Sequence, residues 1–218
     1  MSVLKNVGGR RERNKAEKLE RIEDAARSLF AELGYDETTT RAIAERADIA
    51  QGTLFTYFPE KRLVLLHLVR RDIDRAVERA FRTMPAVPPA DPVDALVHLF
   101  GAVYRAYERD RGLARVFVKE LLFVEGDLGV ELGTWTVSFI ARLGTLLGRW
   151  RDAGALGAHV EPATAAYQIF SFYYVGLVSW LGAAPVTTRV RDTMFRAALT
   201  QLVRGLGSDG AARPGRTR

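Results

Sequence analysis

Residues 48–58 read DIAQGTLFTYF, an uncharged Ala-Gln-Gly-Thr segment followed by three aromatics within four positions. If residues 51 to 58 are helical, Leu54 and Phe58 share one face, as do Gln51 with Phe55 and Gly52 with Thr56. Leu54 and Phe58 then find core partners in Leu29, Phe30, Ile43 and Ala47 from the preceding segments. Gln51, Gly52, Thr53, Phe55, Thr56 and Tyr57 are left outside that core. A surface helix built only for solubility would carry Lys and Glu there, yet this face has no charge and two aromatic rings. It is a contact surface, and its chemistry suits DNA. Gln pairs bidentately with adenine, a Thr methyl or an aromatic edge meets the thymine methyl, and Thr and Tyr hydroxyls reach phosphates. Gly52 lets the backbone approach a phosphate at the positive end of the helix. A packed interface between domains is the alternative use of such a face.

The flanking sequence places this helix in a helix-turn-helix. Upstream, Thr38-Thr39-Thr40 supplies N-cap candidates for the short helix RAIAERA, whose Ile43, Ala44 and Ala47 point one way. A three- to four-residue turn separates the two short helices, and Pro59 stops the second by forcing Phe58 out of the α region. Before them, a helix over about residues 12 to 33 aligns Ile22, Ala25, Ala26, Leu29, Phe30 and Leu33 and ends at Gly34. Arg41 and Lys61 bracket the uncharged face: Arg41 is positioned for a guanine edge or a phosphate, Lys61 for the backbone across the groove.

The stretch IEDAARSLFAELGYDETTTRAIAERADIAQGTLFTYFPEKRLVL resembles the N-terminal domain of TetR-family transcriptional regulators, over about residues 18 to 80. The ordered elements are A-x-x-L-F and G-Y, then T-T-x-x-x-I-A, then G-T-L-F-x-Y-F with a following Lys. The resemblance implies a homodimeric, all-helical repressor whose third helix enters the major groove of a palindromic operator and whose larger domain binds a small effector. By motif position it puts Thr40, Gln51, Thr53, Phe55, Thr56, Tyr57 and Lys61 at DNA, with Arg41 and Gly52 at positions used by some members. Three positions depart from the pattern. Asp48 replaces the usual Gly of the turn, Ala50 the usual N-cap Ser, and Phe55 a frequent Tyr, so that its contact is apolar.

The remainder of the chain also reads as helix, at Lys61 to about Thr83 and at about 92 to 109, 111 to 124, 128 to 153, 162 to 182 and 188 to 206. The fold class expected is all-α. The division expected is a basic arm at 1–17, a DNA-binding domain at 18–80 with its helix-turn-helix near 39–58, a ligand-binding and dimerisation domain at 84–207, and a disordered tail at 208–218. MPAVPPADP, with four prolines, is the clearest break. Tyr104, Tyr107, Trp135, Phe139, Phe170 and Tyr174 are the candidates for a pocket that takes an apolar or aromatic effector. TAAYQIFSFYYVGLVSWLGA is apolar nearly all round and needs burial on two sides. With the following helix it would form a four-helix dimer interface using Gly176, Val190, Met194, Ala198 and Leu202. Induction would act through the helix that starts at Lys61, by misaligning the two recognition helices.

Composition agrees with this reading. The 218 residues are 48% hydrophobic and 27% charged, with no cysteine, which excludes disulfides, thiolate metal sites and a cysteine nucleophile. The net charge is +6, divided as +3 over residues 1–83, −2 over 84–183 and +5 over 184–218. His67, His98 and His159 are far apart in sequence and fit no metal or catalytic spacing, and there is no phosphate-binding glycine loop. No catalytic residue, metal or cofactor is therefore expected. No signal peptide or membrane span is read, so a cytoplasmic protein is expected. A regulator with no small effector, or an activator, would carry the same motif.

Overall fold

A computed structural model of the chain describes residues 4–84, 91–183 and 186–207, with side chains at 11–84, 91–121, 124–183 and 186–205. The described residues form nine helices and no strand: α1 (Leu4–Glu37), α2 (Thr40–Arg46), α3 (Gln51–Tyr57), α4 (Lys61–Arg82), α5 (Pro92–Glu108), α6 (Arg111–Phe123), α7 (Gly126–Asp152), α8 (Pro162–Leu181) and α9 (Thr188–Gly207). The tail at 208–218 and most of the proline-rich break, residues 85–90, lie outside the described residues. No helix among the described residues is long and apolar enough to cross a membrane.

Two compact units divide the chain, Met1–Asp74 with Tyr107–Leu122, and Arg75–Ala106 with Phe123–Arg218. The division falls within α4 and α5 rather than at residue 84. Consequently α6, which the sequence reading placed in the larger domain, joins the first unit, where Leu113 and Val116 pack against its core.

In the first unit α1 begins at Leu4, so the segment expected as an arm is helical from that point. Its regular course breaks at Gly34, where φ of 81° is a conformation that L side chains rarely adopt. The core joins Ile22, Ala26, Leu29 and Phe30 of α1 to Ile43 and Ala44 of α2, Leu54 of α3, Phe58, and Val64, Leu65 and Leu68 of α4. Leu33 is an exception to the expected stripe, at 51% exposure, because it falls on the solvent side of the last turn. Two ion-pair sets tie α1 to α4. Arg27 forks onto Asp72 with distances of 2.7 and 2.9 Å. The buried Glu23 accepts from His67 Nε2 at 2.9 Å and from Arg71 Nη1. Burial pushes the Glu23 carboxyl up, but the bonds and charges of His67 and Arg71 outweigh it and hold the group below the usual carboxylate range.

In the second unit α8 packs against α7 and α9, which buries Ala165, Ile169, Tyr173, Leu177 and Trp180, while its apolar Tyr167, Phe172, Val175 and Val178 remain exposed. Asp91 caps α5 by accepting from Val93 N at 2.8 Å, with Pro92 as the first helical residue. Glu161 caps α8 through Ala163 N at 3.1 Å and Thr164 N at 2.6 Å.

Candidate nucleic-acid interface and effector site

The helix-turn-helix geometry is set by three local devices. Thr39 caps α2 by accepting from Ala42 N at 3.1 Å, and the neighbouring Thr38 is buried with its hydroxyl donated to Gly34 O at 2.7 Å. At the other end of α2, Ile49 N donates to Ala44 O at 3.0 Å and Asp48 N to Glu45 O at 3.1 Å, which is the bonding of a Schellman stop. Asp48 occupies its left-handed position with φ of 51°, and among the described residues it is the one non-glycine residue at positive φ. Arg21 of α1 secures that turn: its Nε donates to Ala47 O at 2.8 Å, and its Nη2 pairs with Asp48 Oδ2 at 3.1 Å. A guanidinium on the last carbonyls of a helix also complements the helix dipole. The sequence reading missed Arg21, although a turn lacking its usual Gly was the signal that an outside support was needed.

Across the turn, Ala50 is the N-cap of α3 and offers no side-chain bond, so the helix starts with one cap fewer than a Ser would provide. Its seven residues are held instead by Leu54, which is fully buried, and by the adjoining Phe58. Opposite that anchor Gln51, Gly52, Phe55 and Thr56 are exposed, while Thr53 and Tyr57 are half-buried. Phe55 presents its ring at 42% exposure. Thr56 donates its hydroxyl to Gly52 O at 3.1 Å, which leaves the methyl group and an oxygen lone pair outward. Tyr57 packs against the core and its hydroxyl reaches Lys15 O at 3.4 Å, so this ring is shared between the face and α1.

The flanking residues are engaged as well. Thr40, half-buried, opens α2, and Arg41 is exposed and paired with Glu45 one turn on at 2.8 Å. Lys61 donates from Nζ to Tyr35 O at 2.6 Å and Asp36 O at 3.0 Å, with the ammonium 4.4 Å from the Tyr35 ring centroid. It therefore supports the end of α1, a task the sequence reading did not give it. An ammonium has three donors, and two are used here.

In the second unit, four of the six pocket candidates belong to one aromatic cluster. Phe139 lies 5.7 Å from Phe100 and 6.1 Å from Phe170; Phe170 stacks on Tyr174 at 6.0 Å. Tyr104 lies 5.1 Å from Tyr173 and donates its buried hydroxyl to Tyr173 O at 3.0 Å. Trp135 is half-buried on α7. Tyr107 is a correction: it belongs to the first unit, where its ring packs 6.2 Å from Phe117. Burial raises the Tyr174 phenol above its ordinary value.

α8 and α9 also carry an apolar outer face, with Val175, Val178, Val190 and Met194 exposed and Ala198 and Leu202 half-buried. Gly176 does not belong to it, contrary to the sequence reading. A Cβ at Gly176 would come within 2.7 Å of Tyr104 Oη and 3.6 Å of Arg191 Cγ, so the glycine makes room for the inward cluster. Arg191 itself is buried beside Tyr104 and was not singled out from the sequence, although Arg191, Phe195 and Leu199 stand at i, i+4 and i+8. Among the described residues no cluster of three or more His, Asp or Glu side chains is arranged to hold a metal ion.

Comparison with known proteins agrees with this geometry. Residues 22–68 match the family described as "Bacterial regulatory proteins, tetR family". The HTH-type transcriptional repressor KstR of Rhodococcus jostii is 29% identical over 200 residues, covering 91% of this chain and 86% of that protein. KstR of Mycobacterium tuberculosis is 32% identical over 116 residues, 53% of this chain and 52% of that protein. The crystal structure of FadR from Thermus thermophilus, a TetR-family repressor in complex with lauroyl-CoA, superposes with a TM-score of 0.71 at 25% identity, covering 90% of this chain and 99% of that one. Residues 22–68 of the first unit thus carry the helix-turn-helix domain of the tetR family, and the chain as a whole is similar to TetR-family transcriptional repressors.

Proposed function

We propose that the chain is a cytoplasmic, homodimeric repressor that binds a palindromic operator through α3 and leaves it when an apolar effector occupies the second unit. The observation that carries this reading is the outward face of α3, uncharged and partly aromatic on a helix whose opposite side is fully buried. In this reading Gln51 reads a base edge, Phe55 and the Thr56 methyl meet thymine methyls, and Thr53, Thr40 and Tyr57 position the backbone. Gly52 permits close approach of a phosphate, Arg41 reaches a phosphate or guanine, and the third donor of Lys61 takes a phosphate. Two copies associate through the outer face of α8 and α9 that includes Val190, Met194, Ala198 and Leu202, which places two recognition helices on one operator.

For the effector, the rings of Tyr104, Phe139, Phe170 and Tyr174 supply an apolar lining and Trp135 extends it. The lauroyl-CoA bound by Thermus thermophilus FadR supports an acyl chain as the apolar body. The effector acts by binding better to a conformation in which the recognition helices no longer match consecutive major grooves; tenfold release corresponds to about 1.4 kcal/mol of coupling.

The test begins with selection of an operator from random duplex DNA and measurement of affinity by fluorescence anisotropy. Gln51→Ala is expected to lose discrimination at particular base pairs of the selected site while retaining non-specific affinity. Addition of lauroyl-CoA is expected to lower operator affinity. No sequence preference in the selection would overturn the operator reading, and unchanged operator affinity at saturating dodecanoate, dodecanol and lauroyl-CoA would overturn the effector reading.

A further inference from the structure

We infer that the effector carries a carboxylate and that the buried guanidinium of Arg191 receives it; this rests on the effector reading above and names the chemistry of that site. α9 turns Arg191, Phe195 and Leu199 inward, and Arg191 is 3% exposed. Among the described residues it is the one charged side chain buried in the second unit. Its Cζ lies 3.9 Å from the Tyr104 ring centroid and 4.8 Å from that of Trp180. Tyr104 is in turn 5.1 Å from Tyr173, and Tyr173 is 5.5 Å from Phe170, so the cation borders the aromatic cluster assigned to the effector.

The counter-charge is placed differently. Asp192, the next residue, accepts from Arg191 Nε at 2.8 Å and pairs with Nη2 at 2.7 Å, but its side chain is 55% exposed. The cation is thus in the apolar interior and the Asp192 carboxylate at the edge of water, where screening weakens that pair. The Tyr104 and Trp180 rings offset part of the desolvation by cation-π attraction. Packing alone would be served by an aliphatic residue on the line of Phe195 and Leu199. A buried cation at the border of the aromatic cluster suits a carboxylate that arrives with an apolar body among Phe139, Phe170 and Tyr174. Guanidinium and carboxylate then pair in a low-dielectric setting, where their charge-assisted bonds are strongest. The Tyr104 hydroxyl is donated to Tyr173 O and brings no charge to this site.

The full-length protein is titrated calorimetrically with dodecanoate, dodecanol and lauroyl-CoA, as wild type, Arg191→Met and Asp192→Asn. Wild type is expected to bind dodecanoate at least about tenfold more tightly than dodecanol, a preference that disappears in Arg191→Met while dodecanol binding remains. Asp192→Asn, which removes the competing carboxylate, is expected to tighten dodecanoate binding and leave dodecanol unchanged. Arg191→Met is expected to melt no lower than wild type. Equal binding of acid and alcohol, a preference that survives Arg191→Met, or binding of lauroyl-CoA without dodecanoate overturns the inference. So does an unfolded Arg191→Met combined with an Asp192→Asn that binds dodecanoate as wild type does. Operator release by dodecanol or lauroyl-CoA in any of those cases leaves the effector reading standing, whereas failure of every ligand to change operator affinity removes that reading too.

Discussion

Ala50→Ser tests how α3 is held. Ala50 is the N-cap, with φ of −65° and ψ of 142°, and it makes no side-chain bond. Those dihedrals are the extended conformation in which a Ser hydroxyl accepts from the N–H two or three residues on, and the residue is exposed, so Ser fits without repacking. Its acceptance of Thr53 N would add to the 2.8 Å bond that this N–H makes to Ala50 O. Ser in place of Ala at an N-cap contributes about 1 kcal/mol. The helix has seven residues and one fully buried anchor, Leu54, so this increment bears on local opening of α3 more than on global unfolding. Native-state hydrogen exchange is the appropriate assay: amides in the first turn, Thr53 and Leu54 among them, are expected to gain about fivefold protection, the equivalent of about 1 kcal/mol. Ala50→Val, as control, supplies no acceptor and ranks with Ala among the poor N-caps, so it should gain no protection. Unchanged exchange at Thr53 and Leu54 in Ala50→Ser, or an equal gain in Ala50→Val, would show that α3 is not limited by its missing cap.

Other expectations follow from single contacts. Because burial and then His67 and Arg71 act on Glu23 with a net lowering of its pKa, its contribution to stability is present above the ordinary value of 4.5 and is lost as pH falls through the lower folded value. Glu23→Gln should therefore lower stability at neutral pH and flatten the acid limb in chemical denaturation; an unaltered limb would refute the assignment. Lys61→Met should cost the first unit about 1 kcal/mol by leaving Tyr35 O and Asp36 O without their ammonium donor. It should also weaken operator binding at all sequences and reduce the slope of log affinity against log salt by about 0.9, and loss of stability with an unchanged slope would confine Lys61 to α1. Gly176→Ala sets a Cβ 2.7 Å from Tyr104 Oη and should break the Tyr104 to Tyr173 bond, lowering stability by about 1–3 kcal/mol in denaturant titration. Tyr104→Phe in the same background should recover part of that loss, and a neutral Gly176→Ala would mean that the ring shifts freely.

The helices were legible because their cues are local. Apolar spacing marked α1 through Ile22, Ala26 and Leu29, Pro59 marked the stop after α3, and Asp91-Pro92 the start of α5, each acting within a turn or two of itself. The division of Leu54 and Phe58 from Gln51 and Phe55 also followed from helical period alone. Partners across space left no such mark. Arg21 and Asp48 are 27 residues apart, Lys61 and Tyr35 are 26, and Tyr104 and Tyr173 are 69, so no periodicity joins them. The same limit explains the two misplaced residues. Tyr107 shares a helical stripe with Tyr104 yet packs on Phe117 in the other unit, and Gly176 faces the interior because Tyr104 needs its space.

What this sequence determined by itself was its helices, the two faces of α3 and the weak points at Asp48 and Ala50, because each depends on neighbours within about two turns. Only the tertiary structure decided that Arg21 secures the turn, that Lys61 supports α1, and that a guanidinium from α9 lies buried against the rings of α5 and α8. Those positions depend on which side chains meet when distant helices pack, and a charged side chain's surroundings are fixed by that packing rather than by its own identity.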